Sequence, residues 1–368
     1  MTVPLFDLTR QYQMLRPELE AAALSQLASG AYVLGPAVDN FETLAAQFLG
    51  TKHAVGVANG TDALQIALRA AGFERGDEVI TSPFSFYSAA EVVADLGGKP
   101  VFVDVDADTF NIGAAQIEAA ITEKTRAIIP VHIFGHPAPM PEIMAIAQKH
   151  GLSVIEDCAQ SWGATLDGKH TGTWGDAGTV SFFPTKNLGA FGEGGLICTD
   201  DEKIALKSKQ LRTHGQSQQY IYDEIGYNSR LHALQAALLS VKLPHSQSFN
   251  DARRKHAAHY RELLANTPFV VPFERKGARH VYHQYTLRVP AEIGRQKVMG
   301  TLKERGIGHA IYYPKPLHLQ PIFEDLGYKN GELPETERAC REVLSLPIFP
   351  ELREEEVEKV AAALKAAL

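Results

Sequence analysis

From Ala54 onward, short runs rich in β-branched and aromatic residues alternate with segments of helical periodicity, and this alternation restricts the possible folds more than any other feature. The β-rich runs span residues 54–58, 78–82, 100–105, 127–131 and 153–155, then 178–183 and 196–199. Helical patterns lie between several of them, as over 141–150. Strands alternating with helices of this length predict an α/β fold with a mainly parallel sheet between helices. In such sheets ligands bind beyond the carboxyl ends of the strands. Phe86, Asp157, Ser181 and Lys186 all fall at such ends.

The flanking regions are simpler. Between Arg16 and Leu49, Leu19, Ala22, Ala23 and Leu27 share one helical face and Phe41, Leu44, Ala45 and Phe48 another, with a glycine- and proline-bounded break over 30–36. After a polar stretch that begins at Gln216, a helix is expected from His232 to about Lys242, followed by a charged helix over 250–264. Then come an alternating strand over 282–289, a helix over about 295–305, a strand over 310–313 and an amphipathic helix over 354–368. A chain of 368 residues exceeds the usual single core. The expected division is a large domain over 1–245 and a smaller C-terminal α/β domain over 246–368.

The formal net charge of −7 argues against nucleic acid as the main partner, because phosphate binding is driven by excess lysine and arginine. Residues 1–8 lack the basic and apolar regions of a secretory signal, and no run approaches the roughly 18 apolar residues of a membrane helix. Cys158, Cys198 and Cys340 are odd in number and widely spaced, which suits reduced thiols in a cytoplasm rather than disulfides or a zinc site. Three apparent motifs fail. The segment Gly163-Ala164-Thr165-Leu166-Asp167-Gly168-Lys169-His170 imitates a phosphate-binding P-loop, but His170 stands where serine or threonine is needed, so a hairpin turn is expected. No Gly-x-Gly-x-x-Gly follows a strand, so the dinucleotide fingerprint is missing. His132 and His136 have metal-like spacing, yet Pro130, Gly135 and Pro137 break any regular helix there.

Three positions carry chemistry. The run 178–183 ends at Pro184 and delivers Lys186 into a loop containing Gly189, Gly192, Gly194 and Gly195. Asn59-Gly60-Thr61-Asp62 joins a strand to a helix, where free backbone N–H groups and the helix dipole favour a phosphate. Asp157 follows a buried strand. Each has an ordinary alternative: Lys186 a solvated charge, Thr61 or Asp62 a plain helix cap, Asp157 a cap or surface charge. Together they describe a pyridoxal phosphate site, with a lysine able to form a Schiff base, a carboxylate for the pyridine nitrogen and a phosphate cradle.

Asn59-Gly60-Thr61-Asp62-Ala63-Leu64, Gly76-Asp77-Glu78-Val79-Ile80-Thr81, Glu156-Asp157-Cys158-Ala159-Gln160, Ser181-Phe182-Phe183-Pro184-Thr185-Lys186-Asn187 and Asn228-Ser229-Arg230-Leu231 resemble the motifs of the DegT/StrS-type sugar aminotransferases. The resemblance runs from about Leu5 to the last helix. It implies a fold type I pyridoxal 5'-phosphate enzyme, working as a homodimer with active sites at the subunit interface. By the same resemblance Lys186 is the Schiff-base lysine and Asp157 the partner of the ring nitrogen. Phe86 stacks on the ring, and Gln160 lies near the ring hydroxyl. Gly60, Thr61, Asp62 and Ser181 cradle the phosphate, and Asn228 reaches it from the neighbouring subunit. Arg230, Tyr312, Tyr313 and His318 match substrate-facing positions.

The resemblance further implies that L-glutamate donates an amino group to the keto group of a nucleotide-linked sugar. The pattern is nearest to members using a UDP-linked N-acetyl 3-oxo uronic acid, with a dTDP-linked 3-oxo or 4-oxo deoxyhexose as the competing substrate. Tyr312 departs from the histidine many members carry, and Cys158 and Trp162 replace commoner residues; these changes bear on substrate fit. A dehydratase of the family would carry histidine in place of Lys186, and a non-catalytic regulator would show a decayed site.

Overall fold

The computed structural model describes residues 2–368. Its helices are α1 (Leu8–Ser29), α2 (Pro36–Leu49), α3 (Gly60–Ala70), α4 (Ser88–Asp95), α5 (Ala114–Ala119) and α6 (Met140–His150), then α7 (Glu202–Leu211), α8 (Ala233–Lys242), α9 (Ser246–Leu264), α10 (Arg295–Glu304), α11 (Pro334–Glu342) and α12 (Glu354–Lys365). The strands are β1 (His53–Val57), β2 (Glu78–Thr81), β3 (Lys99–Phe102), β4 (Thr125–Ile129), β5 (Ser153–Asp157), β6 (Thr165–Leu166) and β7 (Lys169–His170), then β8 (Ala177–Ser181), β9 (Gly195–Thr199), β10 (Gln216–Gln218), β11 (Ile221–Tyr222), β12 (Ala278–Arg279), β13 (Tyr285–Arg288) and β14 (Val343–Leu346).

Seven strands form one sheet in the order β1-β9-β8-β5-β4-β2-β3. β9 runs antiparallel to both its neighbours, and the remaining pairings are parallel. Strands buried on both faces need apolar residues throughout. Val55 and Val57, Val79 and Ile80, Ile128 and Ile129, and Val154 and Ile155 are all sealed from solvent. The carboxyl ends of β1, β5 and β8 open onto the same edge, which determines where the site can form.

Three expected elements end differently. β8 stops at Ser181, although the amide of Phe182 still bonds the Gly194 carbonyl at 2.8 Å; Phe182 is buried while Phe183 emerges. The alternating run from Tyr282 becomes a strand only at Tyr285, after a left-handed turn at Tyr282 (φ 45). In the run 310–313, Ala310 makes only a single bridge, to Ser345 of β14, and β14 is the strand that pairs with β13. The false P-loop is a hairpin of β6 and β7, to which β12 adds a third strand.

A second core gathers residues from Ala257 to Ala367, with Val3 from the other end of the chain. Among the described residues, no helix is long and apolar enough to cross a membrane. α1 is tied to α12 by Arg10, which grips Glu356 with two bonds of 2.7 and 2.8 Å. Glu356 is 1 % exposed and also accepts the Arg353 amide at 2.9 Å. The Arg10 bonds hold its carboxyl well below its ordinary value of 4.5. Because the folded form holds the ionised carboxylate, this stabilisation is complete above about pH 5 and is lost as the pH falls through the acid range. Arg10→Met should lower unfolding stability by about 2 kcal/mol at pH 7. In denaturant titrations the gap to the parent protein should narrow below pH 4.

Candidate active site

The chain after β1 enters α3 through Asn59, whose side chain accepts the Asp62 amide at 2.8 Å. Asn59 is therefore the helix cap, a role the sequence suggested for Thr61 or Asp62. Thr61 instead places its hydroxyl 2.8 Å from that of Ser88, at the start of α4. The first-turn amides of Gly60 and Thr61 have no preceding helical carbonyl to bond. Gly60 is required by packing, since a Cβ there would stand 2.7 Å from the Cβ of Ser181. Gly195 is required likewise, because its Cβ would meet the Asn59 carbonyl at 2.2 Å. Bare backbone thus lets the amino end of α3 sit directly against the end of β8.

At the end of β5, Asp157 is 7 % exposed and accepts the Ala159 amide at 3.0 Å. Its backbone is held on both sides by Pro130 and His132. Burial raises the Asp157 carboxyl, while the Ala159 amide and the charge of Lys186 pull it back. Protein surrounds Lys186 although part of its surface faces the cavity. The lost hydration pushes its amine down to about 8, against the opposing pull of Asp157. The lysine loop is tight. The Lys186 amide donates to the Phe183 carbonyl at 2.8 Å, and the buried Lys242 ammonium bonds the Gly189 carbonyl from α8.

Gln160 accepts the Phe134 amide at 2.6 Å through Oε1 and donates through Nε2 to the Tyr313 hydroxyl at 3.1 Å. Burial raises the Tyr313 phenol above its ordinary value of 10. Gly60, Thr61, Asp62, Phe86, Asp157 and Gln160 line one cavity of about 730 Å³, together with Ser181, Lys186, Tyr312 and Tyr313. Phe86 is 59 % exposed at its side.

Three expected residues lie elsewhere. Asn228 and Arg230 do not line this cavity; the Arg230 guanidinium donates to the Asn228 side-chain oxygen. His318 is 1 % exposed, with Nε2 3.4 Å from Glu337 and its ring beside Tyr328, so it is a packed core histidine rather than a cavity wall. Its neighbours in sequence, Pro316 and Pro321, turn the segment inward into a cluster with Phe102 and Phe323. Ser88, Glu91, Phe183, Glu193, His283 and Gln284 line the cavity without having been expected. For His283 and Gln284 the signal was the Tyr282–Val289 alternation, which reads as a strand and hides the turn that aims them.

His132, Glu156 and Cys158 lie close enough to suggest a metal cluster. Their lone pairs are already committed. Glu156 accepts from the amides of Gly172, Trp174 and Gly175 and pairs with His132 at 3.0 Å, while the other His132 nitrogen accepts the Ala138 amide.

A buried lysine of lowered proton affinity, a buried carboxylate and a helix amino end brought bare against a strand end suit a cofactor with an aldehyde, a ring nitrogen and a phosphate. Residues 13–365 match the family model described as the DegT/DnrJ/EryC1/StrS aminotransferase family. The chain belongs to that family. Aminotransferases of this family depend on pyridoxal phosphate. A pleiotropic regulatory protein of Geobacillus stearothermophilus is 51% identical over 98% of each chain. A UDP-N-acetyl-3-dehydro-alpha-D-glucosamine 3-aminotransferase of Acidithiobacillus ferrooxidans is 45% identical, covering 100% of this chain and 98% of the relative. The crystal structure of S. venezuelae DesV in complex with a ketimine intermediate superposes with a TM-score of 0.96 at 39% identity, covering 100% of this chain and 98% of that one. The motif resemblance therefore extends through the whole fold, and the chain is a sugar aminotransferase.

The amine of Lys186 becomes a nucleophile only when it has lost its proton. The rate at which the cofactor-free protein captures an aldehyde at Lys186 should rise with pH and level off above about 8, whereas an ordinary lysine would continue towards 10.5. Stopped-flow absorbance across pH 6–11, with Lys186→Ala subtracted, measures this midpoint.

Proposed function

We propose that this aminotransferase takes an amino group from L-glutamate and delivers it to the keto carbon of a nucleotide-linked hexose, with pyridoxal 5'-phosphate held in the cavity around Lys186. The observation that carries this reading is the meeting of Lys186, Asp157 and the amino end of α3 in one cavity. When bound, the cofactor supplies an electrophilic aldehyde and an electron sink. Lys186 holds the aldehyde end. Asp157, ionised, keeps a proton on the ring nitrogen, and a cationic partner there offsets the burial that raises its carboxyl. Phe86 covers the ring, and Gln160 with Tyr313 serves its hydroxyl. The free amides of Gly60 and Thr61, with the Ser181 hydroxyl, receive the phosphate, and Asp62, whose amide is held by Asn59, serves the cradle only as part of the first turn. Once free, the Lys186 amine would carry a proton at Nζ between the substrate carbon and the cofactor carbon, a task suited to a base of proton affinity near 8.

The acceptor we favour is a UDP-linked 2-acetamido hexose with a 3-keto group, because the relative named for a UDP-linked 3-dehydro sugar is 45% identical, against 39% for a dTDP-sugar transaminase that aligns over a similar length. Whether its sixth carbon is a uronate or a hydroxymethyl is a question of substrate fit around Tyr312. We also take the enzyme as a homodimer in which Asn228 and Arg230 complete the partner's site. Both lie outside their own cavity, and nearby Tyr220, Ile221, Tyr222 and Ile225 are 79 %, 52 %, 57 % and 85 % exposed, a costly apolar display for a lone subunit. The division at residue 245 into two domains belongs to the same reading and is supported by the second core, drawn from Ala257 to Ala367 apart from Val3. A cytoplasmic setting suits three buried free thiols.

Glutamate added to the cofactor-loaded protein should bleach its visible band in the parent and leave Lys186→Ala unchanged. A loaded parent whose band does not respond would overturn the donor assignment and turn attention to a regulatory role. Mixing inactive Lys186→Ala and Arg230→Ala proteins should restore about a quarter of parental activity after subunit exchange, because half of the dimers then carry one intact site. No recovery, with exchange shown by mass spectrometry, would place Arg230 in its own subunit's site.

A further inference from the structure

We infer that Asn187 is a positioning residue for Lys186: its side-chain amide clamps the lysine loop to α9 and to the segment that carries His283 into the cavity. The inference rests on the reading of Lys186 as the cofactor lysine. Asn187 is 4 % exposed, and its Nδ2 donates to Asn250 Oδ1 at 2.8 Å and to the Val281 carbonyl at 3.0 Å. Its own Oδ1 is buried with no partner. Only the donors of this asparagine are used.

The direction of the bonds is determined by the neighbours. Asn250 donates its Nδ2 to the Trp162 carbonyl at 2.9 Å, so its Oδ1 must face Asn187. Val281 offers a carbonyl as well, so Asn187 must present nitrogen to both. The relay therefore runs Asn187, Asn250, Trp162, and ends five residues beyond Asp157 and two beyond Gln160. Its other branch ends two residues before His283. Glycine makes room at both ends. A Cβ on Gly163 would stand 2.6 Å from Asn250 Nδ2, and one on Gly135 would stand 2.8 Å from a Val281 methyl. A single amide thus references the loop of Lys186 to the loops of Asp157 and His283.

Loop residues are poor supports for a reacting atom unless their neighbours are locked. The lysine loop is pinned at its far end by Lys242 on Gly189 and by the bond from the Ala190 amide to the Phe182 carbonyl. Asn187 is the pin beside the lysine itself. Without it the Lys186 side chain loses its fixed direction towards the cavity while the sheet beneath is untouched.

The test uses the full-length protein, cofactor-free, with pyridoxal 5'-phosphate as the probe and absorbance as the readout of capture at Lys186. Asn187→Ala should slow capture at least about tenfold, the scale expected when a reacting group is displaced. Asn187→Asp keeps the shape but has no donors, and its carboxylate favours the lysine ammonium, so its capture midpoint should move above the parental value of about 8. Ser246→Ala, which removes the 3.2 Å bond from Trp162 Nε1 to α9, is the control for stability alone: it should lower the melting temperature without changing capture. Asn187→Ser, which retains one donor and is the milder change if Asn187→Ala does not fold, should recover part of the rate. Parental rate and midpoint in the folded Asn187 variants would overturn the inference while leaving the role of Lys186 intact. A parent protein that captures the probe no better than Lys186→Ala would instead remove the functional reading, and the clamp with it.

Discussion

The close approach of bare backbone at the carboxyl edge of the sheet is the constraint on which the site depends. Gly60 brings the first turn of α3 against Ser181, and Gly195 lets the start of β9 pass beside the Asn59 carbonyl. A side chain at either position would push the helix end and the strand ends apart by more than packed protein tolerates. Because β1, β8 and β9 are adjacent in the sheet, the amides of α3 and the loop of Lys186 fall on one cavity. β5 lies next to β8 and adds Asp157. Four consecutive positions in the sheet order thus supply the framework of the whole site.

Burial then sets the chemistry of the two charged groups. Removing Lys186 from bulk water disfavours its ammonium, and removing Asp157 disfavours its carboxylate. Each partly offsets the cost for the other. The result is a lysine that gives up its proton near neutral pH and a carboxylate that gains from a cation placed beside it. The same physics has another outcome at Glu156, one residue before Asp157. There three backbone amides and His132 satisfy the carboxylate, and the group becomes structural. Adjacent acids have different work because one meets donors on every side and the other faces a cavity.

Support for the site comes from outside the sheet. Lys242 on α8 and Asn250 on α9 both reach into the lysine loop, and α9 continues into the second core through Ala257, Tyr260 and Leu264. The segment from Val281 to Gln284 returns to line the cavity before β13 rejoins that core. The cavity therefore has contributions from widely separated parts of the chain, and its shape responds to how those parts pack.

The sequence by itself determined the parallel sheet, the strand-end positions of Asp157 and Lys186, and the glycine turn into α3, because these follow from local periodicity and from glycine and proline punctuation. Its motifs also identified the family. Tertiary structure decided which residue caps α3: Asn59, Thr61 and Asp62 are all competent caps, and the choice fell to Asn59 once Thr61 was drawn to Ser88 on another helix. It decided that His318 is buried beside Glu337, although the motif resemblance matched it to a substrate-facing position. It also decided that Tyr282 turns the chain so that His283 and Gln284 enter the cavity. The difference has one physical cause. Local dihedral preference and hydrophobic period are carried by neighbours in the chain, whereas a hydrogen-bond partner or a cavity wall is supplied by segments that only folding brings near.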